Sequence, residues 1–317
     1  MLTKIKDTCI LKNNKLVQLA SIEYPNGELG DEGNANLALV NTSAPYRLES
    51  QWTGYTDYDY RVVNMATGDT QSTIKKSERL HLSPSAKYAF GYSRKDTTWV
   101  TYDVISGARK ALTKNKGFYN EWHDYPDYPY SYGVAGFTKD DKSIVLYDRY
   151  DLWAFDPKSG EGNRLTKGRE TKTRYRYVKL DQEERFLNPK ENWLLTTFDE
   201  ATKNSGFARY SPKSEKLVSL ATGPYHFANA KKAKLSDQIL FTKESFEVFP
   251  DLYTTDMSFK SVTQLSDANP QQKLYNWGTN ELVNWTSLDG KELTGMLVKP
   301  ENFDPDKEYP LLVNFYE

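Results

Sequence analysis

The residue types that could carry out catalysis are few in this sequence and lie far apart. The three histidines are His81, His123 and His226, and Cys9 is the single cysteine. The Gly-x-Ser-x-Gly motif, which exposes a serine nucleophile on a sharp strand-to-helix turn, is absent, because no two glycines stand four apart with a serine between them. The single cysteine predicts no intrachain disulfide and no cysteine-based zinc site.

An aromatic stretch, FYNEWHDYPDYPYSYG, is the strongest candidate for a binding segment. Rigid aromatic side chains make good contact surfaces. We therefore predict substrate contacts for Trp122, His123, Tyr125, Tyr128 and Tyr130. The neighbouring His123 and Asp124 do not predict a catalytic dyad, because adjacent side chains rarely point at one another. The alternative is a loop that packs on its own part of the fold.

Acidic residues cluster at three places without matching a ligand pattern. The loop from Glu28 to Glu32 and the pair Asp57 and Asp59 lack the alternating oxygens and closing glutamate of a calcium loop. Glu183 and Glu184 are adjacent, and adjacent residues of a strand point to opposite faces. We interpret these groups as solvated charges and expect no metal and no cofactor.

Composition excludes several classes of protein. The 317 residues include 42 Lys and Arg against 43 Asp and Glu, a formal charge of −1. This balance argues against a dedicated nucleic-acid binder. No apolar run approaches the ~20 residues of a membrane-spanning helix, so we expect no membrane insertion. Aromatic residues make up 14% of the chain and include 23 tyrosines, which favours strands.

A repeat organises most of the chain. In four copies an apolar residue lies four positions before a polar anchor, and a leucine lies nine positions after it. The anchors of these copies are Asp103, Asp156, Ser211 and Asp256, and a weaker fifth copy is centred on Asn64. Each copy has the pattern of a β-hairpin with a Gly- or Ser-containing turn.

A second hairpin-like segment precedes each anchor, in which a polar turn leads into a short apolar strand, as in LSPSAKYAFGY. Four strands per 39–55 residues, repeated, are typical of β-propeller blades. The sequence thus predicts an all-β fold of about five blades of four antiparallel strands, in an incomplete ring over residues 1–270. A β-sandwich or a β-solenoid is the alternative.

After residue 270 the repeat stops. Two strand-like segments, 282–287 and 292–298, flank Asp289-Gly290, a strong hairpin signal. A loop rich in proline and charge follows, and the apolar segment 311–316 resembles a central strand. We expect residues 271–317 to be a linker and the first strands of a second, truncated domain.

Residues 285–317, WTSLDGKELTGMLVKPENFDPDKEYPLLVNFYE, resemble the junction between propeller and α/β-hydrolase domain in the prolyl oligopeptidase family of serine peptidases. The phrases LSPSAKY and DLWAFDPKSGEGNRLT are also typical of that family's blades. The resemblance covers essentially the whole chain and is closest to the bacterial, dipeptidyl-peptidase-like branch.

The resemblance implies a fragment: later blades and the first strands of a hydrolase domain whose catalytic Ser, Asp and His would lie beyond residue 317. Such a fragment should be inactive, and would gate and orient peptide substrates for the missing domain. Tyr316 matches the tyrosine that donates its hydroxyl to the oxyanion in the dipeptidyl-peptidase-like branch.

A self-contained propeller that binds protein or glycan partners is the competing hypothesis. The fragment hypothesis also predicts self-association, because unpaired strand edges promote association. The resemblance suggests a periplasmic or secreted protein, whereas the residues themselves leave the compartment open.

Overall fold

The computed structural model describes residues 8–12 and 14–315. These residues divide into two compact units. The first takes in the described residues up to 203 together with residues 207–221, and the second takes in residues 204–206 and the described residues from 222 onward. No helix in the described part of the chain is long and apolar enough to cross a membrane.

The strands of the described residues form five four-stranded sheets and two hairpins, and consecutive strands are neighbours in every sheet. The first hairpin consists of β1 (Cys9–Lys12) and β2 (Lys15–Gln18). The first sheet consists of β3 (Asn26–Leu29), β4 (Leu37–Thr42), β5 (Tyr58–Asn64) and β6 (Thr70–Ser77). The second consists of β7 (Leu80–Leu82), β8 (Tyr88–Ser93), β9 (Thr98–Asp103) and β10 (Arg109–Ala111).

The remaining sheets continue in chain order. The third consists of β11 (Val134–Phe137), β12 (Ile144–Tyr147), β13 (Leu152–Phe155) and β14 (Gly162–Arg164). The fourth consists of β15 (Thr173–Tyr177), β16 (Trp193–Asp199), β17 (Ser205–Ser211) and β18 (Lys216–Gly223). The fifth consists of β19 (His226–Lys232), β20 (Ile239–Glu244), β21 (Asp251–Thr255) and β22 (Thr263–Gln264). The last hairpin consists of β23 (Thr279–Thr286) and β24 (Glu292–Lys299).

Helical structure in the described residues is limited to single turns. One α-helical turn spans Ser50–Thr53, and 3-10 turns span Gly30–Gly33, Ala44–Tyr46, Lys139–Asp141 and Pro270–Leu274. The predicted all-β fold, with four-stranded antiparallel units of propeller type, is confirmed.

The core of the first unit lies between neighbouring sheets. One cluster joins the first and second sheets, and includes Tyr60, Val62 and Val100, each at most 2% exposed. Another joins the second and third sheets around Phe118 and Phe155, both fully buried. Such packing between sheet faces is how propeller blades bury their apolar surface.

In three copies of the repeat a Thr or Ser follows the leucine, and both residues hydrogen-bond to the third strand of their sheet. In three sheets the leucine N–H donates to the main-chain oxygen near the start of the third strand, at 2.8 Å each time. The hydroxyl of the next residue accepts a hydrogen bond from the N–H of that same strand residue. These pairs are Trp99 and Thr113 (2.9 Å), Leu152 and Thr166 (3.1 Å), and Leu252 and Ser266 (2.9 Å).

In three sheets an aspartate near the start of the third strand accepts a hydrogen bond from the segment that follows the fourth strand or its end. Asp59, Asp151 and Asp251 each accept a hydrogen bond from the main-chain N–H of the residue 17 positions later. The three carboxylates are at most 6% exposed, and buried carboxylates require such partners. Asp59 therefore has a structural role, and the expectation that it belongs to a solvated loop is wrong.

The polar anchors are turn residues. Asp103 Oδ1 accepts hydrogen bonds from the N–H groups of Ile105 and Ser106, at 3.1 and 2.8 Å. These bonds, led by that from Ser106, lower the pKa of Asp103. Gly107 follows four positions after the anchor with φ of 71°, a conformation that favours glycine. The conserved spacing within the repeat is thus the geometry of one hairpin turn.

The predicted hairpin after residue 270 forms as β23 and β24, which pair from Thr279 with Lys299 to Thr286 with Glu292. The ring of Trp285 covers Gly295, where a Cβ would lie 2.9 Å from the indole. The predicted strand over 311–316 is different, because residues 311–315 belong to no sheet. A strand needs a neighbour for its N–H and C=O groups, and the described residues supply none at this position.

Candidate functional site

The aromatic stretch forms a loop, residues 118–133, between β10 and β11; we call it the aromatic loop. Strands alternate in direction within each sheet, so the second and fourth strands of a sheet end on the same side. The aromatic loop, which follows a fourth strand, therefore lies at the same end of the sheets as the turns between second and third strands. Arg94 occupies such a turn, between β8 and β9, and Arg149 occupies another, between β12 and β13. The topology therefore brings arginines of two sheets to the aromatic loop.

Arg94 anchors one half of the aromatic loop. Its side chain is 9% exposed and forms an ion pair with Asp127. Its guanidinium also donates to the main-chain oxygen of Tyr128, at 2.7 and 3.2 Å, and lies 4.0 Å from the centre of the Tyr130 ring. The hydrogen bond from Arg94 lowers the pKa of Asp127, so this pair stays charged at neutral pH.

Ion pairs anchor the other half. Glu121 binds Arg169 at 2.6 Å, and Arg149 lies 3.6 Å from the same carboxylate. Arg149 also pairs with Glu200 at 2.6 Å and places its guanidinium 4.3 Å from the centre of the Trp122 ring. A guanidinium over an indole face is a favourable cation–π contact. The loop is thus held from two sheets and keeps a defined shape.

The five predicted contact residues lie on this loop with their side chains turned partly or largely outward. Trp122 is 70% exposed, Tyr125 68%, Tyr130 61% and Tyr128 41%. His123 Nε2 lies 2.7 Å from the main-chain oxygen of Asp127 rather than against Asp124, so the sequence neighbours form no dyad. Exposed aromatic side chains on a fixed loop are well suited to contact a ligand; substrate contact itself stays a prediction.

A second segment extends the aromatic surface. The turn between β4 and β5 carries Trp52, which is 87% exposed, and Tyr55. The rings of Tyr55 and Tyr128 meet edge to face with their centres 5.9 Å apart. Sequence reasoning missed this segment, because residues 73 positions apart meet only through the packing of the first and second sheets.

Two acidic residues, Asp57 and Glu78, lie near Tyr55. Asp57 is 9% exposed, and no described side chain or main-chain N–H donates a hydrogen bond to its carboxylate. Glu78 follows β6 and accepts a hydrogen bond from the N–H of Lys95 at 3.3 Å, and the N–H and the charge of Arg94 also act on its carboxylate. Burial raises the pKa of Asp57, and burial together with the charge of Asp57 raises the pKa of Glu78. The sequence pattern singled out Asp57 only as a solvated charge, and this expectation is wrong.

Two buried donors that lie close together lack a hydrogen-bond partner among the described residues. The hydroxyl of Tyr92 and Nε1 of Trp99 are buried without a hydrogen bond. The two rings are 5.6 Å apart at the end of β8 and the start of β9. Burial, followed by the charge of Glu78, raises the pKa of Tyr92.

The remaining acidic candidates have ordinary partners. Glu184 accepts a hydrogen bond from the Tyr177 hydroxyl at 3.0 Å, and burial raises its pKa. Arg185 forms an ion pair with Asp31. Tyr316 lies outside the described residues, so its role stays a prediction. Within residues 8–12 and 14–315, no group of three or more His, Cys, Asp and Glu side chains could hold a metal ion.

These residues give the aromatic loop a fixed and partly exposed surface. The surface combines exposed aromatic rings with ion pairs that hold the loop in place, and such a surface suits contact with a ligand.

No protein-family model matches the chain, and no curated protein matches it. Among solved structures, the chain is similar to a candidate dipeptidyl aminopeptidase IV from Bacteroides ovatus, with a TM-score of 0.59 and 14% identity. The match covers 90% of this chain and 46% of that one.

Two other solved structures are similar at a lower level. A puromycin hydrolase mutant complexed with PGG matches with a TM-score of 0.47 and 13% identity, over 93% of this chain and 47% of that one. An acylaminoacyl peptidase from Pyrococcus horikoshii matches with a TM-score of 0.46 and 14% identity, over 92% and 46%. The chain thus spans about half the length of these structures, and the likeness to the first shows the fold alone.

Proposed function

We propose that this chain is the propeller part of a serine peptidase of the prolyl oligopeptidase family, which gates and orients peptide substrates for a hydrolase domain. The observation that carries the proposal is the order of elements. Five four-stranded sheets are followed by a hairpin and the segment that resembles the family's entry into the hydrolase domain. The fold shared with the Bacteroides ovatus structure supports it.

The aromatic loop gives the propeller its part in the reaction. A loop fixed by ion pairs can hold a peptide in one orientation without first losing its own conformational entropy. Trp122, Tyr125, Tyr128 and Tyr130 supply apolar contact area in this proposal. Tyr316 would donate a hydrogen bond to the oxyanion that forms when a serine of the hydrolase domain attacks the peptide carbonyl.

The test uses the full-length protein encoded by the gene that contains this sequence. We expect it to hydrolyse chromogenic dipeptide amides. Tyr316→Phe should lower kcat about 10²–10³-fold, the usual effect of losing one oxyanion donor, whereas Trp122→Ala should raise KM. Ile105→Ala, an exposed change on another turn, is the control. A full-length protein with a Gly-x-Ser-x-Gly serine that hydrolyses no peptide or ester would refute the proposal.

A propeller that acts only as a binding module is the second candidate. The exposed aromatic surface favours it equally, because such surfaces also bind protein partners. The two candidates differ in the gene: the module predicts no hydrolase sequence after residue 317. Sequencing beyond that codon separates them.

A further inference from the structure

The connections between first and second strands lie at the end of the sheets opposite to the aromatic loop, because strand directions alternate within each sheet. In the first four sheets these connections are residues 30–36, 83–87, 138–143 and 178–192. The connection in the fourth sheet, residues 178–192, is the longest of them; we call it the strap loop. Its contacts extend beyond its own sheet.

Short contacts at this end join neighbouring sheets in chain order. The first and second sheets approach closely, since a Cβ on Gly30 would lie 2.9 Å from the Cβ of Ala86. The second and third sheets meet where the Ser83 hydroxyl donates to the buried carboxylate of Asp141, at 2.6 Å. The connections of these three sheets therefore form a continuous row.

The base of the strap loop is fixed on the third and fourth sheets. The N–H of Leu187 donates to the main-chain oxygen of Phe137 at 2.8 Å, and the Leu187 side chain is 3% exposed. Leu187 packs on Gly136, where a Cβ would lie 3.5 Å from the Cγ of the leucine. The hydroxyl of Tyr177, in β15, donates to Glu184 at 3.0 Å. Burial and hydrogen bonds thus hold this part of the loop in place.

The tip of the strap loop reaches the first sheet. Arg185 forms an ion pair with Asp31 and lies 3.5 Å from the carboxylate of Glu32. Asp31 and Glu32 have φ of 52° and 54°, a left-handed conformation that residues other than glycine keep only where surrounding contacts hold it. The contact with Arg185 is one that can hold this turn.

The first and fourth sheets are not neighbours in the stack. Apolar clusters join the first sheet to the second, the second to the third and the third to the fourth. Propeller blades surround a central channel, so a contact from the fourth sheet to the first, with two sheets between them, spans the inside of the arc. The ion pair of Arg185 and Asp31 is such a contact.

We propose that the strap loop connects the fourth sheet to the first across the propeller axis, with Arg185 as a reversible latch. The latch can open because the side chains of Arg185 and Asp31 are 35% and 23% exposed, and ion pairs exposed to solvent contribute little to stability. Opening would free the tip of the loop and let the two sheets move apart. The proposal goes beyond the proposed function and does not depend on it.

Hydrogen exchange followed by mass spectrometry measures the latch in this chain. Arg185→Gln removes the cation, and Asp31→Asn removes the anion while keeping a residue type that tolerates left-handed backbone. We expect the amides of residues 179–186 to exchange about two- to fivefold faster in either variant and in the double variant, the effect of losing one partly exposed ion pair. Arg109→Gln, which breaks an exposed ion pair with Asp96 in the second sheet, is the control.

Salt distinguishes an electrostatic latch from an arginine that only packs. The Debye length falls from about 30 Å at 0.01 M salt to about 3 Å at 1 M. The strap loop of the native chain should therefore exchange faster as salt is raised over this range. The Arg185→Gln variant has no cation to screen at this position, so its exchange should not respond.

Pulsed electron spin resonance measures the connection between the two sheets. The spin labels are attached at Ala66→Cys in the first sheet and Ser214→Cys in the fourth, both in exposed turns between third and fourth strands, with Cys9→Ser removing the native thiol. We expect a narrow distance distribution in this background. Adding Arg185→Gln should broaden it and shift it to longer distances, whereas adding Arg109→Gln should not.

Three results would overturn the proposal. They are unchanged exchange of the strap loop in both single variants, a salt response that persists in Arg185→Gln, and a spin-label distribution that Arg185→Gln leaves unchanged. Circular dichroism checks the fold of each variant, and if Arg185→Gln fails to fold, Asp31→Asn takes its place in all three measurements. None of them involves peptide hydrolysis, so an inactive full-length protein would refute the proposed function and leave this proposal standing.

Discussion

Asp151 offers the sharpest test of how the sheets are closed. Its carboxylate is fully buried and accepts hydrogen bonds from Arg164 at 2.6 and 3.0 Å and from the Thr166 hydroxyl at 2.6 Å. It also accepts bonds from the main-chain N–H groups of Gly168 and Arg169. The change Asp151→Asn keeps the shape of the side chain but turns one acceptor into a donor that faces other donors.

The expected loss follows from these contacts. Removing one partner of a buried ion pair destabilises a protein by about 3–5 kcal/mol. Arg164 is 25% exposed and also binds Glu170, so it retains a partner and the loss should fall near the lower value, about 3 kcal/mol. Thr166→Val removes the neutral hydroxyl that donates to Asp151 and should destabilise the protein by about 1–2 kcal/mol.

Urea unfolding followed by tryptophan fluorescence measures the difference. A destabilisation of about 3 kcal/mol should also lower Tm by about 6–12 °C. Asp251→Asn is the matched control, because Asp251 occupies the same place in the fifth sheet with hydroxyl, amide and N–H partners but no described arginine. The reasoning is refuted if Asp151→Asn lies within 1 kcal/mol of the native protein, or if Asp251→Asn is the more destabilising change.

Three further predictions concern other parts of the chain. Gly91→Ala should destabilise by about 1–3 kcal/mol, because its Cβ would lie 2.3 Å from the main-chain oxygen of Arg79; thermal unfolding measures it. Asp57→Asn should raise Tm at pH 7, because a carboxyl group whose pKa is raised in the folded state destabilises the fold above that pKa. The native protein gains stability from this group as the pH falls from about 7 to about 4, and the variant should show a smaller gain. No change in the pH profile would contradict this. Leu312→Asp, at a residue 93% exposed, should reduce self-association in light scattering, and a native chain that is already monodisperse would count against that prediction.

Much of the fold was predictable because the repeat is local. A polar anchor that caps its own turn and a glycine four positions later are properties of one hairpin. A leucine and a hydroxyl residue near the end of the hairpin bond back to its first strand. All these contacts join residues within about 17 positions, so their spacing is visible in the sequence. The number of sheets and their four-stranded pattern followed from counting such units.

The failures arose where partners are distant in the chain. Asp57 and Asp59 have the same composition and nearly the same position, yet one is satisfied by Tyr46, Lys75 and Lys76 and the other has no described donor. Asp59 lies within β5, whereas Asp57 lies just before it, so their difference depends on which neighbouring segments pack against each carboxylate. The segment 311–315 has the composition of a buried strand but belongs to no sheet, because strand formation needs a neighbour as well as a suitable sequence.

The sequence by itself determined the all-β repeat, the hairpin after residue 270 and the aromatic loop, since each depends on residue types at short, regular spacing. Only the tertiary structure decided that Arg94 and Arg149 fix that loop, and that Tyr55 meets Tyr128 near Asp57 and Glu78. These contacts come from different sheets. Their energies depend on burial and on the direction of side chains, which are set when the sheets pack and not by any local pattern of residues.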